Sequence, residues 1–407
     1  MRYLFIHDAF PGQFIHLFRH LYREMQKPDG TDSGSEIIAA SRKGSTLDLP
    51  VEQIVYDLPA DAKQLDAGME AAALGHDLYC KLKPLADAGR HPDYIVVHAS
   101  TGASYFLRDL FPKARITCLL EWYYRDPSPE QLLKSENAGN TQAFYRQCAS
   151  NGARNSILAH DFDQAGAAYA PTGFQKSQFP ARWQPGIKVC HEGIDTDLYR
   201  PDDKAELKVG DKTFTRDTEI ITYAARGMEK SRGFPQFMLA VAEVQKKRPK
   251  CHVIVAAKDR ICYDPGGRGQ KGLKNWAEKK VGYDPARTHF VGLLPEREFV
   301  KMLQISRLHV YLSIPFVLSW SCLNAMSAGV PLLASDNASS REVITGGENG
   351  LLVDAGDVPM IAKRMIEALD DPQLRASVAA KARDTIISRF KLQDTLRAQL
   401  ALIHGEA

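Results

Sequence analysis

Residues 313–336 read SIPFVLSWSCLNAMSAGVPLLASD. An apolar run reaches Ser313, breaks at Pro315 and restarts as a helix at Ser319-Trp320-Ser321. Gly329-Val330-Pro331 closes that helix, and a second apolar run follows at once to Ala334. Strand, loop, helix, tight turn and strand in so short a span is the pattern of a parallel sheet with crossover helices. Asn324, a polar residue between Leu323 and Met326, needs a partner if buried. A neighbouring backbone group or a ligand hydroxyl would each serve, and the residues alone leave both open.

The same alternation runs outward in both directions. RYLFIH, EIIAAS, EQIVYD, DYIVVHAS, ARITCLLEW and IKVCHEG are strand candidates in the first half; EIITYAA, CHVIVAA, THFVGL, LHVYLS and VPLLASD follow in the second. Amphipathic segments such as 233–247 and 295–305 lie between them. Apolar strands alternating with helices predict an α/β chain whose parallel sheets are covered on both faces. The series restarts near residue 217, after the turn-rich DTDLYRPDDKAELKVGDKT. The chain is 407 residues long, too much for one core. We expect domains at 1–200 and 201–385, with a C-terminal helical stretch, 386–407, packing back toward the first domain.

Composition excludes several classes. The chain is 44% hydrophobic and 25% charged with a net charge of +3, which gives no pull toward nucleic acid. Seven cysteines, at 80, 118, 148, 190, 251, 262 and 322, form no CxxC pair and no metal-ligand spacing. That odd set predicts buried free thiols and a reducing, cytoplasmic setting. No apolar run is long enough to span a membrane, and the N-terminus is not patterned as a signal peptide. The loop ICYDPGGRGQKGLKN (261–275) is rich in glycine and basic residues, which predicts a mobile segment.

Ligands of open parallel sheets sit beyond the carboxyl ends of the strands. There EIITYAA runs into RGMEKSRGF, which sets Arg226, Lys230 and Arg232 close together. Guanidinium groups bind phosphate through forked hydrogen bonds. On spacing alone, a solvated basic turn stays open. The helix entry at Leu318, Ser319 and Trp320 offers free backbone N–H groups and a partial positive charge to an anion.

The ordered succession RGMEKSRGF, CHVIVAAKDR, THFVGLLPEREFVKML, HVYLSIPFVLSWSCLNAMSAGVPLLASD and REVITGGENGLLVDAGD resembles the donor-binding half of a retaining GT-B-fold glycosyltransferase of family 4. FPGQF (10–14), EWYYRDPSPE (121–130) and HEGIDTDLYRP (191–201) resemble one bacterial subgroup of it. The resemblance implies two Rossmann-like domains with parallel sheets facing a central cleft. It implies transfer of a sugar, with retention, from a nucleotide diphosphate donor to an acceptor hydroxyl, in surface polysaccharide or glycoconjugate synthesis. The acceptor would be a saccharide, a lipid-linked saccharide or a protein; peripheral contact with the inner face of a membrane stays open.

By the same resemblance, Arg226 and Arg232 bind the donor diphosphate. Lys258 replaces a glycine-rich turn at the next strand end, and Gly12 and Gln13 stand where the first loop approaches the phosphates. His98 lines the reaction centre and Glu121 the acceptor side. Leu318, Ser319 and Trp320 form the donor-facing helix entry. The family carries a glutamate at each of the positions held here by Phe316 and Asn324. The subgroup tolerates PFVLSWS at the first position but keeps a glutamate at the second, which is associated with ribose hydroxyls. An amide at 324 keeps a hydrogen bond and gives up its charge-assisted part, about 1–2 kcal/mol of donor binding. This departure leaves a non-catalytic descendant that binds a glycan, nucleotide or protein as an alternative, with a nucleotide-sugar epimerase behind it. No metal and no cofactor are expected. DFD (161–163) and DTD (195–197) match a metal-binding pattern of another fold and read here as turn and helix-start carboxylates.

Overall fold

The computed structural model describes residues 1–26, 35–44, 49–59, 67–125, 141–264 and 269–406, with 141–144 described for backbone only. Two compact units emerge: one takes the described residues up to Gly193 together with Leu392 onward, the other Ile194–Lys391.

The first unit holds a seven-stranded parallel sheet. Its strands are β1 (Arg2–Ile6), β2 (Glu36–Arg42), β3 (Glu52–Tyr56), β4 (Tyr94–His98), β5 (Arg115–Leu119), β6 (Ala167–Ala170) and β7 (Ile187–Val189). They lie in the order β3-β2-β1-β4-β5-β6-β7. Successive strand residues face opposite sides, and both sides are apolar here. Tyr3 and Phe5 of β1 pack with α1 (Ile15–Met25), while Leu4 and Ile6 join the core that contains Leu74, Leu78 and Leu82 of α2 (Ala67–Asp87). Each such side chain contributes about 1.5–3 kcal/mol on burial, which outweighs the weak intrinsic preference of a short strand. The short α3 (Leu107–Leu110), α4 (Thr141–Gln164) and α5 (Gly173–Gln178) complete the crossovers.

The second unit repeats the plan with six parallel strands: β10 (Ile220–Gly227), β11 (His252–Lys258), β12 (Thr288–Phe290), β13 (Leu308–Tyr311), β14 (Leu332–Ser335) and β15 (Leu351–Val353). Their order is β12-β11-β10-β13-β14-β15. Ile221 and Tyr223 face one core, Ile220 the other. Helices α6 (Phe234–Lys247), α7 (Lys274–Lys280), α8 (Glu296–Gln304), α9 (Trp320–Ser327), α10 (Ala338–Arg341), α11 (Val358–Asp370) and α12 (Pro372–Arg389) cover it; α13 (Leu392–His404) belongs to the first unit. The α/β architecture expected from the alternating pattern is thus present twice.

One expectation needs correcting. The turn-rich segment before residue 217 is not only connection: β8 (Glu206–Val209) and β9 (Lys212–Thr215) form an antiparallel hairpin. Leu207 and Phe214 are paired across it and buried, an alternation that the surrounding charges obscure. The final helical stretch is broken at Phe390-Lys391 into α12 and α13.

Candidate functional site

In each sheet the strand order reverses direction at one point, where the loops that leave two neighbouring strands separate and open a crevice. In the first unit that point lies between β1 and β4. His7 and Gly12-Gln13 follow β1, and His98 ends β4. Glu121 follows β5, next in line.

These four side chains make a directed chain of hydrogen bonds. The Ala9 amide donates to His7 Nδ1 (2.9 Å), which puts the imidazole proton on Nε2. His7 Nε2 then donates to Gln13 Oε1 (2.7 Å), and Gln13 Nε2 donates to Glu121 Oε1 (2.5 Å). Glu121 Oε2 faces His98 Nε2 at 3.3 Å, and the His7 and His98 rings lie tilted by 56° with their centroids 4.6 Å apart. Burial raises the Glu121 carboxyl, yet the hydrogen bond and charge of His98, with Gln13 and His7 alongside, bring it below its ordinary value. Burial likewise lowers His98, but Glu121, Asp8 and Glu192 raise it overall. Cation and anion therefore stabilise each other.

Gly12 owes its identity to this cluster. Its φ is +45°, and a Cβ there would meet His7 Nε2 at 2.3 Å. The open position makes room for His7, a residue the sequence reading had not singled out although it follows the first strand directly. Gln175 Nε2 donates to the Glu121 carbonyl (2.9 Å), which fixes the backbone that carries the carboxylate.

Asp161 of DFD is neither a turn nor a helix-start carboxylate. It lies inside α4, fully buried, and accepts from the Ser100 amide (2.8 Å) and the Ser104 hydroxyl. It thereby holds Ser100, among the described residues the one non-glycine with a left-handed φ (77°), just beyond His98. Asp195 of DTD does cap a turn, accepting from the Asp197 and Leu198 amides.

In the second unit the reversal lies between β10 and β13. Arg226 is exposed near the end of β10, and Lys258 is exposed at the end of β11, where it pairs with Gly227. Arg232 is part-buried. Its Nη1 donates to Ser313 Oγ (3.2 Å), and its guanidinium carbon sits 4.7 Å from the Tyr263 ring centroid and 5.7 Å from that of Phe316. Among the described residues it forms no ion pair. Gly233, with φ 61°, turns the chain directly into α6; a Cβ there would meet Leu312 Cβ at 2.3 Å.

The loops after β10 and β11 cap each other. Glu229 is fully buried, and its Oε2 accepts from the amides of Cys262 (2.9 Å), Tyr263 (2.7 Å) and Asp264 (3.0 Å). Asp264 in return accepts from the Lys230 (2.8 Å) and Ser231 (2.9 Å) amides. Sequence spacing gave no sign of this pairing, because its partners are more than 30 residues apart and a carboxylate's amide partners leave no pattern. The centre of the glycine-rich loop, 265–268, lies outside the described residues.

Ser319 caps α9: its Oγ accepts from the Ser321 amide (3.3 Å), and its own amide donates to Tyr311 Oη (3.2 Å). Leu318 is buried in the core, so its side chain supports the helix entry from behind, whereas Trp320 is half-exposed. Asn324 is buried at 7% exposure, and among the described residues its side chain makes no hydrogen bond. Cys118, Cys251 and Cys322 are buried free thiols whose pKa values burial pushes up. No helix among the described residues is long and apolar enough to cross a membrane.

Residues 33–199 match the family described as Glycosyl transferase family 4 group, and 206–385 that described as Glycosyl transferases group 1. The putative glycosyltransferase EpsD of Bacillus subtilis (strain 168) is 27% identical over 49% of this chain and 50% of its own length. A GDP-mannose-dependent phosphatidylinositol monomannoside mannosyltransferase of Mycobacterium tuberculosis is 20% identical over 60% of this chain and 63% of its own. The chain thus spans between half and two thirds of these curated relatives. Among solved structures, a sucrose-phosphate synthase of Thermosynechococcus elongatus superposes with a TM-score of 0.72 at 15% identity, covering 100% of this chain and 98% of that one. Anabaena HepE in complex with UDP-glucose gives 0.66 at 15% identity, over 98% and 99% of the two chains. These likenesses are of fold. The two family matches fall one after the other, a Glycosyl transferase family 4 group match followed by a Glycosyl transferases group 1 match, on a chain with the GT-B fold.

Proposed function

We propose that the protein transfers a sugar from a nucleotide diphosphate donor to an acceptor hydroxyl with retention of anomeric configuration. The observation that carries this reading is the side-chain set at the β10–β13 reversal. Arg226 and Arg232 stand at the end of β10, and a capped helix entry, Ser319, follows the neighbouring strand β13. Cleavage of the sugar–phosphate bond builds negative charge on the departing diphosphate. Cationic groups already in place stabilise that charge more in the transition state than before it. In this reading the guanidinium groups supply that charge and no metal ion is called for; the Ser319 and Ser321 amides at the helix entry are already bonded within the protein.

On the first unit, the Glu121–His98 pair orients a hydroxyl or shares a proton with it. Asn324 offers an amide to a ribose hydroxyl from α9. The UDP-glucose held by the Anabaena protein and the GDP-mannose named for the mycobacterial relative support a nucleotide-sugar donor here. We place the reaction in the cytoplasm, in the synthesis of a surface polysaccharide or glycoconjugate, with a free or lipid-linked saccharide or a protein as acceptor.

The test is a transfer and donor-hydrolysis assay across common UDP-, GDP- and ADP-sugars. For the donor that turns over, Arg226→Ala should lower kcat/KM at least about tenfold, the loss of one charge-assisted phosphate contact. A value within about threefold of the parent removes Arg226 from the phosphate site. Conversion of free donor without acceptor, into another nucleotide sugar, makes the protein an epimerase instead.

A further inference from the structure

Arg232 is held in an unusual way for a buried cation. A part-buried guanidinium is ordinarily matched by a carboxylate, which fixes it and also neutralises it. Here, among the described residues, no ion pair is made, and two aromatic faces and a serine hydroxyl do the holding. Phe316 comes from the loop after β13 and Tyr263 from the loop after β11, their ring centroids 5.8 Å apart. A ring face attracts a cation through its quadrupole without cancelling its charge.

Tyr263 is not on a regular element, so something must fix its ring. That role falls to Glu229, whose single oxygen gathers the amides of Cys262, Tyr263 and Asp264, and to the return bonds from Asp264 to Lys230 and Ser231. The two loops cannot shift independently. A further consequence is that these five loop amides are already taken by protein carboxylates. Amides at strand ends are common phosphate donors, but in this chain the work passes to side chains, Arg232 first among them.

The geometry points to Tyr263 as a positioning residue for phosphate binding: clasped by Glu229, it presents a ring face that aims the Arg232 guanidinium while leaving its charge free for the donor diphosphate. This rests on the reading that Arg232 binds that diphosphate. Tyr263 acts through its ring, not through its hydroxyl and not by touching the nucleotide base.

Binding of UDP and of GDP to the full-length protein, measured by titration calorimetry, tests this. Tyr263→Leu should weaken both nucleotides equally, about fivefold to tenfold, while Tyr263→Phe stays within about twofold of the parent. In an Arg232→Ala background, Tyr263→Leu should have no further effect, a result that a general loss of folding would not produce. Phe316→Leu, which removes the other face, should repeat the pattern and serves if Tyr263→Leu does not fold. Unchanged affinity in Tyr263→Leu overturns the inference while leaving the phosphate reading intact, provided that Arg232→Ala still weakens binding. A loss confined to one nucleotide, or an equal loss in Tyr263→Phe, overturns it as well, in favour of a base or hydroxyl contact. Unchanged binding in Arg232→Ala removes both readings.

Discussion

At the scale of single residues, the first unit shows how one backbone amide fixes the state of a whole cluster. The Ala9 amide sets the His7 tautomer, His7 sets the Gln13 amide, and Gln13 turns its nitrogen to Glu121, which leaves the other carboxylate oxygen for His98. The two ionisations support each other over a defined pH window. His98 is raised, so its contribution is complete below its ordinary 6.5 and is lost as pH rises through the folded value. Glu121 is lowered, so its contribution is complete above 4.5 and is lost as pH falls through the folded value. Glu121→Gln should therefore cost most between those two figures, about 1–2 kcal/mol, and less in a more alkaline buffer in which His98 has lost its proton. Urea unfolding at both pH values checks this; an equal cost at each would mean that the pair is not ionised. His98, Glu121 and Gln13 were legible as candidates through resemblance to a family, because each sits in a short motif beside a strand. His7, Glu229 and Asp264 were not, since their partners are set by tertiary contact.

At the scale of elements, apolar runs located the strands because both sheet faces are buried, and burial on both faces leaves an unbroken run. The β8–β9 hairpin escaped for the opposite reason. Only Leu207 and Phe214 are fully buried, with Val209 packed part-buried beside them, and Glu206, Lys208, Thr213 and Thr215 occupy the alternate positions. Turns carry the sharper constraints. Gly233 joins the basic 3-10 turn Lys230–Arg232 to α6 at a left-handed φ of 61°, and a Cβ there would collide with Leu312. Gly233→Ala should destabilise the second unit by about 2–4 kcal/mol, from backbone strain added to overpacking. A denaturant midpoint equal to that of the parent protein would show that the turn relaxes freely. Asn324 stands in contrast: its helix is as expected, and only its chemistry departs from the pattern.

At the scale of the whole molecule, the chain builds the same parallel design twice and then returns to the first unit with α13. Leu396, Leu402 and Ile403 of that helix are buried against Tyr3, Phe5 and Val96, and Tyr3 Oη meets His404 Nε2 at 2.9 Å. Ile403→Ala should cost about 2–4 kcal/mol. The loss belongs to one unit, so hydrogen exchange should quicken in β1 and β4 while β10 and β13 keep their protection. Equal acceleration in both sheets would mean that the units unfold as one.

The chain passes from the first unit to the second at Gly193-Ile194 and back at Lys391-Leu392. These passages run side by side: the Ile194 amide donates to the Phe390 carbonyl (2.8 Å), and Ile194 bridges in parallel to Lys391. Gly193, with φ 92°, lies so close to Thr395 that a Cβ would meet its hydroxyl at 2.2 Å. In genetic terms, residues 194–391 are an insert with adjoining ends, and the remainder is an interrupted host. Chimeras that exchange 194–391 as a cassette keep every core intact, whereas a single crossover near residue 200 would pair the host's strands with a foreign last helix.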